Sequence, residues 1–185
     1  KEEYPYNYDE FFNETMVYGG DDFALYLKKD NEIVATYAAK VLAFGQFNED
    51  FENYFYQESG GNPDMNIDEL ADLVMYKPGR HMYSSCQWVS TSHRGKGMGM
   101  MLDHLKKNIC FDVFNADSNY AIHKEAFTEY HTKGLHYDDS IWMATVPQGN
   151  VGGAGEEKDK VYNVTWVTKE NWANKLNDVR KLYNR

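Results

Sequence analysis

The run Trp88-Val89-Ser90-Thr91-Ser92-His93-Arg94-Gly95-Lys96-Gly97-Met98-Gly99 constrains this chain more than any other. An apolar strand enters it, glycines interrupt it, and a helix leaves it. Met98, Leu102, Leu105 and Ile109 recur at spacings of 4, 3 and 4, the period of a helix with one apolar face. Glycine lets the backbone turn freely and lie close to a ligand. The first N–H groups of the helix have no intrahelical partner and carry the positive end of its dipole. Strand, glycine turn and helix start together build an anion site. Arg94 and Lys96 add full charges, and a pyrophosphate is the expected guest.

Two familiar phosphate loops do not fit. A Walker loop needs Gly-Lys followed by Ser or Thr, and here Lys96 precedes Gly97. A dinucleotide fingerprint begins at Gly95-Lys96-Gly97, but Met100 stands where its third glycine or alanine belongs, and no repeated βαβ units surround it.

The flanking segments predict an α/β pattern with mixed strand directions. Residues 23–28 and 33–44 read as strands joined by a hairpin at Lys29-Asp30-Asn31-Glu32. Residues 81–90, 118–122, 141–146 and 161–167 are further strands. Helices are expected at 7–18, at 124–132 with Gly134 as C-cap, and after Thr168, where Trp172, Leu176, Val179 and Tyr183 form a stripe. Residues 47–78 read as two helical pieces broken at Gly60-Gly61-Asn62-Pro63. Asp68 caps the second, with Leu70, Leu73 and Val74 on one face. Residues 148–159 read as a mobile loop.

Length and composition narrow the function. The 185 residues suit one domain spanning 1–185. An aromatic fraction of 16% argues against disorder. No stretch approaches the ~20 apolar residues that cross a bilayer, and residues 1–5 lack the apolar region of a signal peptide. Cys86 and Cys110 do not make a disulfide framework, so a reducing cytoplasm is expected. The net charge of −10 is uneven: residues 1–80 carry 6 basic and 17 acidic side chains (−11), and residues 81–185 carry 13 and 12 (+1). This disfavours a nucleic-acid partner and fits a cationic one at the acidic half. A solvated acidic surface is the plainer reading of the same charge. The six histidines show no metal-ligand spacing, so no metal is expected.

Arg94, Gly97 and Gly99, with Val89 five residues before Arg94, resemble the cofactor loop of the GNAT (GCN5-related) N-acetyltransferases. A second stretch is similar to that family's downstream segment. Ala126, Tyr130, Gly134 and Leu135 stand in its register, and Tyr130 lies 31 residues after Gly99. His123 takes the place of the family's Asn, Glu129 that of a Leu, and Leu135 that of a Phe. The likeness covers residues 81–146 well and 23–45 in outline. Residues 46–80 look like a helical insertion, the family's first strand is not recognisable, and 168–183 form a C-terminal helix. In its aromatic richness and degenerate signature the chain also resembles acetyltransferase-like proteins of phages, which would place it in a host cytoplasm.

The resemblance implies a central mixed, mostly antiparallel sheet flanked by helices, and transfer of acetyl from acetyl-CoA to a primary amine. It assigns the cofactor to Trp88, Val89 and Ser90 along the pantetheine arm, to Arg94, Gly95, Lys96, Gly97, Met98 and Gly99 around the pyrophosphate, and to His123 in the Asn position. It implies a bulge that splays the loop's strand from its neighbour, a strand amide that polarises the thioester, and Tyr130 as general acid toward the leaving thiolate. No spacing selects a base among His81, Tyr83, Glu49, Asp50 and Glu52, and ordered water serves in many such enzymes. Nothing marks Cys86 as activated. The acceptor is expected to be a cationic amine on a small molecule or a protein, such as a polyamine, an aminoglycoside or a basic peptide. Residues 46–80 either line its site, pack on the sheet, or form a homodimer surface. The alternative is a non-catalytic binding or interaction protein on the same scaffold.

Overall fold

A computed structural model describes residues 23–43, 64–146 and 159–183. The helix expected at 7–18, the first helical piece of 47–78 and nearly all of the loop at 148–159 lie outside the described residues. The strands are β1 (Phe23–Lys29), β2 (Glu32–Ala43), β3 (Asp64–Met65), β4 (Arg80–Val89), β5 (Ser118–Lys124), β6 (Asp139–Val146) and β7 (Lys160–Thr168). The helices are α1 (Ile67–Ala71), α2 (Met98–Asp112) and α3 (Lys169–Tyr183).

The described strands form one open sheet in the order β1-β2-β4-β5-β7-β6-β3. Among the described residues only β4 and β5 pair in parallel, and the other pairings are antiparallel. The β1–β2 turn is sharp because Asp30 and Asn31 hold φ of 51° and 66°, the left-handed pair whose twist suits a two-residue hairpin.

Each face of the sheet is covered. Met82, Ala121 and Val167 pack under α2 and α3 through Phe111, Trp172 and Val179. Tyr120, Met143 and Val164 pack on the other face against Leu70, Leu73 and Met75. The expected α3 stripe is buried at Trp172 and Val179, with Leu176 packed against it. Thr168 caps α3, its hydroxyl accepting from the Asn171 N–H at 3.2 Å.

Three local expectations need correction. The second piece of the 46–80 segment is a short helix with Asn66, not Asp68, at its N-cap, followed by a 3₁₀ turn at Val74–Tyr76. The helix expected at 124–132 is a 3₁₀ turn at Glu125–Phe127 leading into a π-helical turn at Tyr130–Gly134, and Gly134 is not its left-handed cap. The positive φ falls on His136 instead, at 59°. On α2, Leu102 is buried but Leu105 is 46% exposed, while Asp103, His104, Lys106 and Lys107 are buried. The apolar spacing located the helix but misjudged its inner face, because these polar residues find partners inside.

Candidate active site

The site begins where β4 and β5 part. They pair from His81–Ser118 to Ser84–Ala121 and no further. The β2–β4 register slips between Ala38 and Ala39, whose partners are Cys86 and Ser84, so one residue of β4 bulges there. A bulge bends its strand and sharpens its twist. From Gln87 to Val89, β4 keeps its ladder with β2 and has none with β5. The Ser90 N–H donates to Val34 O at 2.9 Å. Strand alternation then turns the N–H groups of Val89 and Gln87 toward the opened side.

A cavity of about 640 Å³ lies at this opening. One wall is β4, through Gln87, Trp88 and Val89. The second is the loop and the first turn of α2, through His93, Arg94, Gly95, Gly97, Met98, Gly99 and Met100. The third is Phe127 and Tyr130.

The loop takes its shape from its glycines. Gly95 and Gly97 adopt φ of 73° and 76°, where an L side chain is strained. Gly97 is the N-cap of α2, with no side-chain cap and no acidic residue in the first turn. The first internal bond there runs from Met101 N to Gly97 O at 3.0 Å. The N–H groups of Met98, Gly99 and Met100 therefore precede the helical ladder, at the positive end of the dipole and on the cavity wall. At Gly99 an added Cβ would stand 2.7 Å from Gln87 Nε2. The Gln87 amide instead donates to Gly99 O at 2.6 Å and ties strand to helix.

The charged residues of the loop separate. Arg94 lines the cavity and its Nε donates to Val89 O at 3.0 Å. Lys96 lies outside the lining, its ammonium donating to Ser92 O at 2.9 Å. Ser90 also lies outside it, its hydroxyl engaged with His93 Nδ1 at 2.8 Å.

Tyr130 faces the loop across the cavity and is 42% exposed. Its ring closes over Gly134, where an added Cβ would meet Tyr130 Cδ2 at 3.2 Å. That contact explains a glycine here without any left-handed backbone. Burial, with the Asp103 charge behind it, raises the Tyr130 hydroxyl above its ordinary range, so it stays protonated at neutral pH. His123 is not in the lining. Its ring stacks on His131 with centroids 4.0 Å apart, and its Nδ1–H donates to Lys124 O at 3.0 Å. Burial lowers the pKa of both imidazoles, His131 to about 3 with His123 adding to the effect.

Sequence reasoning missed Gln87, His93, Met100 and Phe127 in the lining. Gln87 was findable, since it lies two residues before Val89 and so shares its strand face. The larger omission is a buried polar cluster beneath the site. Asp103, Lys106 and Lys107 are fully buried with Tyr37, Ser84, Asn119 and Tyr137 around them. Lys106 Nζ donates to Asp103 Oδ1 at 2.6 Å, and Lys107 Nζ to Asp103 Oδ2 at 2.6 Å. Burial pushes the Asp103 carboxyl up, but the two ammoniums overcome this and hold it well below the carboxylate range. Burial lowers both lysines against the pull of Asp103, Lys107 to about 7. The i, i+3, i+4 spacing of opposite charges was the available signal.

By sequence the chain matches no protein-family model and no curated protein. Its fold does have relatives among solved structures. NAA60 of Arabidopsis thaliana, in complex with a bisubstrate analogue, aligns with a TM-score of 0.50 at 15% identity, over 89% of this chain and 86% of that one. An agmatine N-acetyltransferase in its apo form aligns with a TM-score of 0.57 at 12% identity, over 89% and 82%. The chain has the fold of the GNAT N-acetyltransferases, a mixed open sheet flanked by helices, in a divergent sequence.

Proposed function

We propose that this protein is an acetyl-CoA-dependent N-acetyltransferase acting on a cationic primary amine. One observation carries the reading: the splayed end of β4, the uncapped start of α2 and Tyr130 meet in one cavity. The α2 amides and Arg94 hold the pyrophosphate, and the pantetheine arm lies along Gln87–Val89. The ammonium first loses a proton to water; its nitrogen then attacks the thioester carbonyl carbon, a β4 N–H stabilises the oxygen that gains charge, and the C–S bond breaks. Tyr130 gives its proton to the departing sulfur, and the nitrogen releases one to water. Placing the reactants side by side does most of the work. The fold relative that acetylates agmatine and the acidic first half of this chain both favour a cationic acceptor. In a titration with acetyl-CoA, the amide resonances of Met98, Gly99 and Met100 should move most. Thiol release with agmatine, spermidine, an aminoglycoside and a lysine peptide then reports turnover. No shift at those amides at saturating acetyl-CoA refutes the cofactor site.

A second reading, a non-catalytic binding protein on this scaffold, is favoured by one feature: among the described lining residues there is no Asp or Glu. Binding of acetyl-CoA without thiol release across the amine panel would select it.

A further inference from the structure

A carboxylate and two ammoniums lie buried in the core of this protein. Replacing a buried ion cluster by packed hydrophobic groups is often neutral or stabilising. What such a cluster adds is direction, because each bond fixes one group to one position.

Lys106 points at the fork. Its Nζ donates to Ser84 Oγ at 2.6 Å, and Ser84 is the last β4 residue paired with β5. Asn119 of β5 donates to the same hydroxyl at 3.0 Å and to Met82 O of β4 at 3.0 Å. Lys106 also donates to the Tyr37 hydroxyl of β2 at 3.1 Å. The three strands are thus laced together at the point where the ladder stops.

Lys107 points at the other wall. Its Nζ donates to Leu135 O and lies 3.7 Å from the centre of the Tyr137 ring. Leu135 N donates to Tyr130 O at 2.9 Å, and Tyr137 N to His131 O at 3.2 Å. Lys107 therefore holds the segment that closes the turn bearing Tyr130. Asp103 joins the two lysines, and all three stand on α2, whose first turn is the remaining wall of the cavity.

We propose that Lys106 and Lys107 are positioning residues which register two walls of the cavity, the β4–β5 fork and the Tyr130 turn, to the helix whose start faces the cofactor. The structural part stands on these bonds; its effect on affinity rests on the acetyl-CoA reading above. The arms share the Tyr137 hydroxyl, which accepts from Lys106 Nζ at 3.1 Å and donates to Asn119 Oδ1 at 3.0 Å. They end at different places, Ser84 for Lys106 and Leu135 O for Lys107, and those two ends distinguish them from a merely stabilising core.

The test is amide hydrogen exchange with acetyl-CoA calorimetry on the full chain. Lys107→Met should speed exchange at least fivefold at Leu135 and Tyr137 and leave residues 84–89 within twofold, with acetyl-CoA affinity changed less than threefold. Lys106→Met should do the reverse at the ends the two lysines do not share: faster exchange at 84–89, Leu135 within twofold, and affinity weakened at least fivefold. Where Lys106→Met does not fold, Ser84→Ala removes the same bond from the other side and should give the same pattern. Equal acceleration of both segments in each variant, or of neither, overturns the proposal. If the unaltered protein does not bind acetyl-CoA, the cofactor reading fails, and the exchange pattern still decides whether the lysines lace the walls.

Discussion

Lys107 should make this protein more stable in mild alkali than at neutrality. The cluster holds two ammoniums against one carboxylate, so losing one proton makes it neutral. Burial holds Lys107 at about 7 in the fold, while in the unfolded chain it titrates near the ordinary lysine value of 10.5. Below pH 7 both states carry the proton, and the full cost of burying it opposes folding. Between pH 7 and 10.5 the fold has released it and the unfolded chain has not, so the unfolded state binds more protons and stability rises with pH. At about 1.4 kcal/mol per tenfold, the gain from pH 7 to 10 is roughly 3 kcal/mol. For a chain of this size that is on the order of 6–12 °C in melting temperature. Burial lowers Lys106 as well, with the same sign. Tyr37 and Tyr137 act oppositely, since burial first and the Asp103 charge next raise both hydroxyls well above 10. The stability they protect is present below pH 10 and lost above it, and the Cys110 thiol, pushed up to about 12 by burial, begins the same loss from pH 9, so the optimum lies between pH 9 and 10. Melting curves from pH 6 to 11, followed by circular dichroism, read this directly. Lys107→Met removes the titrating amine and should flatten the rise from pH 7 to 9.5. A flat or falling wild-type curve over that range, or an equal slope in the variant, refutes the reasoning.

Other outcomes follow from the cavity. Tyr130→Phe should leave acetyl-CoA affinity within about threefold and lower turnover by about 10²-fold, the range of a lost general acid; steady-state thiol release measures it. Gly99→Ala puts a methyl 2.7 Å from Gln87 Nε2, which displaces a side-chain end rather than backbone. The fold should survive and acetyl-CoA affinity fall at least tenfold, read by calorimetry. Gly97→Ala demands a left-handed alanine at φ 76° and should cost about 1 kcal/mol in a denaturant melt. His123→Ala should change acetyl-CoA affinity less than threefold, because the ring stacks on His131 away from the cavity; a tenfold loss would return His123 to the cofactor site.

What was legible in the sequence was what depends on backbone and near neighbours. The loop could be read because positive φ at Gly95 and Gly97 and the helix start after them are local. The hairpin at Asp30-Asn31 and the Thr168 cap were legible for the same reason. The Tyr130 register pointed to a side chain on the cavity wall, although the turn carrying it is π-helical rather than α-helical. That turn answers to a contact: the Tyr130 ring lies over Gly134, and Lys107 holds Leu135 O from a helix far away in sequence. Propensity has no access to either.

The α2 face failed for a related reason. Hydropathy places lysine and aspartate outside, and for single charges this is sound. It breaks down when charges at i, i+3 and i+4 pair with one another and other elements supply hydroxyls, as Tyr37, Ser84 and Tyr137 do for Lys106. Leu105 then loses its place inside to Lys106 and Lys107. If stability alone had shaped this helix, leucine would be the cheaper occupant of the inner face. The bonds to Ser84 and Leu135 are what leucine cannot provide, and they end at the two walls of the cavity. A polar core in that position is better explained by the geometry it fixes than by the stability it adds.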